Sequence, residues 1–184
     1  MNLPNALSLF RIVLAAAFTV LLSLASENMI GSWQVKAAFT CFLVAAITDF
    51  FDGYLARKFN LVTDLGKLLD PLADKILVAA AFVLFTEHRL CPGWVTVAIL
   101  FREFAVTGLR LLLVEKGVVL PADQLGKWKT VTQMAFCVIT LFGLSFNAEF
   151  TLLFSLSKIL MYAALILTLF SGANYLIKGG KNLV

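Results

Sequence analysis

The sequence predicts an all-α fold, namely a polytopic membrane protein of six transmembrane helices with a short amphipathic segment at its N-terminus. Of the 184 residues, 61% are hydrophobic and only 14% are charged, whereas roughly a quarter of the residues of a soluble domain are charged. The mean hydropathy is +0.94. Six apolar stretches also approach the roughly 20 residues that a membrane-spanning helix needs. We therefore expect lipid to replace water around much of the surface.

The six apolar stretches are joined by short connections, which indicates a single membrane domain over residues 1–184. Their bounds are 9–25, 35–54, 71–87, 92–114, 128–146 and 151–177. The fourth contains Arg102, Glu103 and Arg110, so it cannot face lipid alone.

The connections alternate between poor and rich in positive charge. The segments Arg57–Lys75 and Arg110–Lys129 and the tail Lys178–Lys181 hold ten of the fifteen lysines and arginines. Because short loops rich in Lys and Arg stay in the cytoplasm, we expect both termini and both basic segments there. The sequence thus predicts a multi-pass protein of the inner (cytoplasmic) membrane whose site faces the cytoplasm.

The cysteines and the net charge argue against a zinc site and against a nucleic-acid-binding site. The three cysteines, Cys41, Cys91 and Cys137, lie far apart in apolar surroundings and lack the spacing of zinc ligands. We interpret them as small buried hydrophobic residues. The net charge of +4 fits membrane topology and anionic lipid, so we expect no nucleic-acid partner.

Four aspartates lie within 26 residues, at the facing ends of the second and third stretches. Asp49 and Asp52 are three residues apart and Asp70 and Asp74 are four apart, so each pair shares one face of a helix. Four facing carboxylates repel one another unless cations neutralise them. Oxygen ligands suit magnesium or manganese, and two such ions can bridge a diphosphate. The pattern predicts two Mg²⁺ (or Mn²⁺) ions.

The residues around the aspartates fit the same chemistry. Gly53 and Ala56 lie on the face of Asp49 and leave room for a ligand near the backbone, while Arg57 can neutralise a phosphate. Pro71 suits the first position of a helix, which would make Asp70 its N-cap; the sequence leaves open whether the helix begins earlier, between Gly66 and Asp70. A carboxylate at the end of the array, preferably Asp74, can deprotonate an attacking hydroxyl. The alternative, an ion cluster with neighbouring lysines and arginines, does not explain the small residues.

These residues together resemble the signature of the CDP-alcohol phosphatidyltransferase family, D-x2-D-G-x2-A-R-x8-G-x3-D-x3-D. All eight fixed positions match, namely Asp49, Asp52, Gly53, Ala56, Arg57, Gly66, Asp70 and Asp74. The resemblance implies a six-helix membrane fold that is usually a homodimer, with two metal ions on the four aspartates and Asp74 as general base. It also implies a binding site for the CDP-linked lipid, formed by Asp52, Gly53, Ala56, Arg57 and Gly66.

Other segments resemble the branch of that family that makes phosphatidylglycerophosphate from CDP-diacylglycerol and glycerol 3-phosphate, with release of CMP. They include Asn2–Arg11, Arg102–Phe104, Thr107–Arg110 and Gly126–Gln133. The cations Arg110, Lys127 and Lys129, with only Asp123 and Glu115 as nearby acids in the sequence, suit a dianionic acceptor phosphate. Ordinary loop cations remain an alternative reading of both lysines.

Several alternatives stay open from the sequence. The acceptor could belong to another member of the family, which makes phosphatidylinositol phosphate or cardiolipin. A membrane prenyltransferase also uses aspartates for diphosphate, and a small cation transporter would use intramembrane carboxylates. Arg102 and Glu103 leave a helix about 100° apart and could pair across helices, while Arg11 either contacts lipid phosphate or snorkels to the interface.

Overall fold

The computed structural model describes residues 3–25, 29–59, 64–118, 124–146 and 150–180, and within them the side chains other than those of 3–5, 50–72, 74 and 150–151. This part of the chain contains six α-helices and no strand, which confirms the all-α class. The helices are α1 Leu3–Ser23, α2 Trp33–Phe59, α3 Asp64–Glu87, α4 Gly93–Glu115, α5 Gln124–Phe146 and α6 Phe150–Gly180.

Three of these helices are long and apolar enough to cross a membrane. Within the described residues they contribute the segments Ala6–Ser23, Gln124–Phe146 and Leu152–Gly180. Each of the six predicted stretches overlaps one helix, but only these three qualify as candidate spans by length and composition among the described residues. The protein is therefore a membrane protein by composition, and six spans remain a prediction.

The helix starts differ from the sequence expectation at two places. α1 is continuous from Leu3, so the predicted amphipathic segment forms its first turns. α3 begins at Asp64, so the prediction that Asp70 is an N-cap is wrong. The segment before Pro71 contains three leucines and one lysine, which are good helix formers. α3 continues through Pro71, although an interior proline removes one backbone hydrogen bond and strains the helix. Asp70 and Asp74 still lie four residues apart on one helix.

The chain divides into two compact units. The first comprises 1–84 and 137–154. In it, Ser32 caps α2 by accepting a hydrogen bond at Oγ from the amide of Val35 (3.4 Å). Gly31 has a φ of +73°, which favours glycine, and its amide donates to the carbonyl of Leu144 (2.7 Å). Phe39 meets the rings of Phe142 and Phe146 edge-on, with centroids 6.2 and 6.3 Å away.

The second unit comprises 85–136 and 155–184. α4 ends here in a Schellman motif, in which the amide of Val118 donates to the carbonyl of Leu113 (2.8 Å) and that of Gly117 to Val114 (2.9 Å). Gly117 has the positive φ, +75°, that this motif requires.

The connection between α3 and α4 also belongs to the second unit. The hydroxyls of Thr86 and Thr96 are 2.7 Å apart there, and the Cys91 thiol lies 3.5 Å from the Thr96 hydroxyl. Burial raises the pKa of the Cys91 thiol, and hydrogen bonds to Thr96 and Thr86 only partly offset this. The free, buried Cys91 therefore fits the interpretation of the cysteines as small hydrophobic residues.

Candidate functional site

The two aspartate pairs lie on two consecutive helices of the first unit. Positions 49 and 52 are on α2, and positions 70 and 74 are on α3. Of the four side chains, the structure describes only that of Asp49. Those of Asp52, Asp70 and Asp74 lie outside the described residues. The same applies to the remaining signature residues, Gly53, Ala56, Arg57 and Gly66. Convergence of the four carboxylates thus stays a prediction.

Asp49 is held by an arginine from another helix. Its Oδ1 atom accepts from Nη1 of Arg11 on α1 at 2.5 Å. The Asp49 side chain remains 42% exposed, whereas that of Arg11 is 2% exposed. Snorkelling requires a charged head group in water, so that reading of Arg11 is wrong. Sequence reasoning missed the pairing because nothing in the spacing of residues fixes which faces of α1 and α2 meet.

The chemistry of Asp49 fits a role as a ligand of a hard cation. A carboxylate offers two oxygens and about four lone-pair sites, so the bond to Arg11 leaves Oδ2 and part of Oδ1 available. The Asp49 side chain is exposed enough for a cation to reach these oxygens. Among the described residues no group of three His, Cys, Asp or Glu side chains could hold a metal. The further ligands expected from the sequence, aspartates 52, 70 and 74, have side chains outside the described residues.

The predicted acceptor cations lie in the second unit, in three different environments. Arg110 is exposed on α4, with its guanidinium carbon 5.5 Å from the ring centroid of Tyr175. Lys127 is exposed at the start of α5. Lys129 is buried and forms an ion pair with Glu103. The expectation that no acid other than Asp123 and Glu115 lies near these cations was wrong, because the helix packing brings Glu103 of α4 to α5.

Arg102 also contacts Glu103, the partner of Lys129. Its Nη2 donates to the Ser171 hydroxyl at 2.6 Å, its Nη1 lies 3.6 Å from Glu103, and its guanidinium carbon lies 5.8 Å from the Tyr175 ring centroid. These contacts confirm pairing across helices for Arg102 and Glu103, and they show that the two also contact each other. Buried charges need such partners because water is excluded.

A glycine on α6 makes room for Arg102. A Cβ atom at Gly172 would lie 2.7 Å from Cγ of Arg102, near the inflexible base of that side chain. We therefore expect Gly172→Ala to lower the free energy of unfolding by about 1–3 kcal/mol through overpacking. Thermal unfolding in detergent micelles measures this.

Gly108→Ala is the matched control, because nothing lies within 4 Å of a Cβ at that helical position. The alanine should leave the unfolding temperature unchanged or raise it, since alanine favours a helix. Equal losses in the two variants would contradict the packing role of Gly172.

The chain is similar to known proteins over nearly its whole length. The model of the family described as CDP-alcohol phosphatidyltransferase matches residues 1–170. A Bacillus subtilis protein named CDP-diacylglycerol--glycerol-3-phosphate 3-phosphatidyltransferase is 40% identical, and the match covers 99% of this chain and 97% of that protein.

Two further relatives carry related names. A Rickettsia bellii protein, also named CDP-diacylglycerol--glycerol-3-phosphate 3-phosphatidyltransferase, is 38% identical over 95% of this chain and 93% of its own. A Mycobacterium tuberculosis protein named probable phosphatidylglycerophosphate synthase is 36% identical over 99% of this chain and 83% of its own. The resemblance inferred from the signature is thereby confirmed at the level of the family.

Proposed function

The chain belongs to the CDP-alcohol phosphatidyltransferase family, and from this we propose that it transfers the phosphatidyl group of CDP-diacylglycerol to the primary hydroxyl of glycerol 3-phosphate. The products are phosphatidylglycerophosphate and CMP. The observation that carries the proposal is the end-to-end similarity to proteins named for this reaction. Identity of 36–40% across the chain, rather than in the signature alone, favours this acceptor over other alcohols of the family.

The signature residues supply the chemistry in this proposal. Asp49 and Asp52 of α2 and Asp70 and Asp74 of α3 hold two Mg²⁺ (or Mn²⁺) ions. When bound, the ions polarise the phosphorus and stabilise the leaving phosphate. Asp74 takes the proton from the acceptor hydroxyl, whose oxygen attacks the lipid-side phosphorus as the bond to CMP breaks.

Binding of the CDP-linked lipid is assigned to the same region of the sequence. Small residues let the nucleotide approach the backbone of α2 and α3, and an arginine neutralises a phosphate. The residues proposed for this role are Asp52, Gly53, Ala56, Arg57 and Gly66. The acyl chains stay in the bilayer, so the donor needs no soluble carrier.

Arg110, Lys127 and Lys129 are proposed to bind the phosphate of glycerol 3-phosphate. Exposure of Arg110 and Lys127 supports direct contact with a soluble anion. Lys129 also forms an ion pair with Glu103, so its removal leaves a half-buried carboxylate without this partner. A neutral alcohol would not need three cations in this region.

The membrane arrangement is part of the same proposal. The basic segments favour six spans in the inner membrane with both termini and the site in the cytoplasm, where nucleotide-linked substrates are found. Surrounding lipid and a second copy of the chain are the expected partners.

Loss of the acceptor cations should weaken binding of one substrate selectively. A charge-assisted hydrogen bond contributes about 1.5–3 kcal/mol, so Lys127→Ala combined with Lys129→Ala should raise the KM for glycerol 3-phosphate roughly tenfold or more. The KM for CDP-diacylglycerol should change little. Lys116→Ala, at the exposed end of α4, is the control and should change neither. Equal increases in both KM values would contradict the acceptor assignment.

A panel of acceptors tests the proposed reaction. Purified protein is incubated with CDP-diacylglycerol and with glycerol 3-phosphate, inositol phosphate, phosphatidylglycerol or serine, and CMP release is followed. Glycerol 3-phosphate should give by far the fastest release and phosphatidylglycerophosphate as the lipid product. Preference for another alcohol would assign the chain to a different member of the family, and absence of CMP release with every alcohol would contradict the proposal.

A further inference from the structure

α1 and α2 pack along an antiparallel seam with a fixed register. The rings of Phe18 and Phe42 lie 5.5 Å apart. Arg11, seven residues before Phe18, forms an ion pair with Asp49, seven residues after Phe42. The residue numbers of both pairs add to 60, as they must when two antiparallel helices keep one register. On the same register position 15 faces position 45 and position 22 faces position 38, and all four residues are fully buried.

The spacing within the seam shows that it is continuous up to the ion pair. The buried residues on α1 recur at alternating steps of three and four, and so do the four on α2 that share this register; they are Ser8, Arg11, Ala15, Phe18 and Leu22 on α1 and Val35, Ala38, Phe42 and Ala45 on α2. Phe39, which is also buried on α2, contacts Phe142 and Phe146 instead. This is the spacing of side chains that interlock between two helices, and the alanines permit close approach of the helices. Arg11 therefore occupies a packed seam position.

The two members of the ion pair differ in their freedom. Arg11 is fixed by packing on a helix long and apolar enough to span a membrane, where an ionised side chain is costly and is retained for pairing or function. Asp49 keeps an open side. Because Arg11 is enclosed by packing and Asp49 is partly exposed, the guanidinium is the more restrained partner and orients the carboxylate.

We infer that Arg11 is a positioning residue for metal binding: it holds Oδ1 of Asp49 so that the rest of the carboxylate faces the cation. This inference rests on the proposed function, in which Asp49 is a metal ligand. α1, which lies outside the aspartate signature, then forms part of the metal site. Hydrogen-bond partners of carboxylate ligands act in this way in metal sites generally.

Positioning and simple charge predict opposite effects when Arg11 is removed. By charge alone, loss of a cation beside the site should tighten binding of a divalent ion. If positioning dominates, loss of the guanidinium lets the carboxylate rotate away and weakens binding, by roughly tenfold to a hundredfold for such partners. The sign of the change therefore separates the two.

The test measures binding of Mn²⁺, added as the chloride, by electron paramagnetic resonance to the full chain in detergent micelles with CMP present. Arg11→Met should weaken binding about tenfold or more. Arg11→Lys keeps the charge but replaces the planar guanidinium with a more flexible ammonium group, so it should weaken binding less. Correct folding of this variant would show that the protein tolerates a substitution at position 11. Phe18→Leu, in the same seam, should lower the unfolding temperature and leave Mn²⁺ affinity unchanged.

Each other outcome is decisive. Unchanged or tighter binding in Arg11→Met and Arg11→Lys overturns the inference, as does an equal loss in Phe18→Leu, which would assign the effect to packing. Asp49→Asn separates this inference from the proposed function. If Asp49→Asn binds Mn²⁺ like the unmodified chain, the proposed metal site fails; if only the Arg11 variants do, the inference alone fails.

Discussion

Asp74→Asn should abolish turnover while the protein is still inserted and folded. In the proposed mechanism Asp74 both accepts the hydroxyl proton and helps to hold metal. General-base catalysis alone contributes about a hundredfold to ten-thousandfold, so kcat should fall by at least that factor. The measurement is CMP release from CDP-diacylglycerol at saturating glycerol 3-phosphate, with the unfolding temperature as the check on folding.

A carboxylate of the same helix provides the control for Asp74. Asp64 begins α3 but lies outside the signature, so Asp64→Asn should retain most of the activity. The asparagine at position 74 is nearly the same size as aspartate and can still accept a hydrogen bond, so loss of activity reports on charge and basicity. Turnover in Asp74→Asn within a few-fold of the unmodified chain would remove the proposed base.

Removal of divalent cations should have the second large effect. A metal ion contributes several kcal/mol of stabilisation to the developing charge, so excess EDTA should lower CMP release by roughly a thousandfold or more at 1.4 kcal/mol per tenfold. Addition of Mg²⁺ or Mn²⁺ beyond the chelator should restore it.

Monovalent salt is the control for a general ionic-strength effect. K⁺ at matched ionic strength should not restore activity, because a monovalent ion cannot bridge the carboxylates and a diphosphate with comparable strength. Activity that persists in EDTA would exclude the metal site and would redirect attention to the arginines and lysines as the source of charge stabilisation.

The helices and their order could be predicted from the sequence because apolar runs near the length of a span have few alternatives. The first residues of the helices were harder to predict from the sequence. The prediction of an N-cap at Asp70 relied on the preference of proline for a first turn, whereas α3 begins at Asp64. The local signal was real, but good helix formers upstream outweighed it.

The site was predictable where chemistry is local and not where it depends on packing. The spacing of the aspartates specifies two helix faces, which the helical assignment of α2 and α3 supports. Which face of α1 meets Asp49, and which acid meets Lys129, are set by the register between helices. Such a register arises from the fit of many buried side chains, so neither Arg11 nor Glu103 could be assigned a partner from spacing alone.

Anomalous diffraction at the manganese edge tests the central claim most directly. Crystals of the full chain grown with CMP and Mn²⁺ should show two anomalous peaks, each within coordination distance of carboxylates from both α2 and α3, and Asp49 should contact Arg11 and one ion together. Peaks absent from this region, or aspartates 49, 52, 70 and 74 that diverge with no ion between them, would contradict the account.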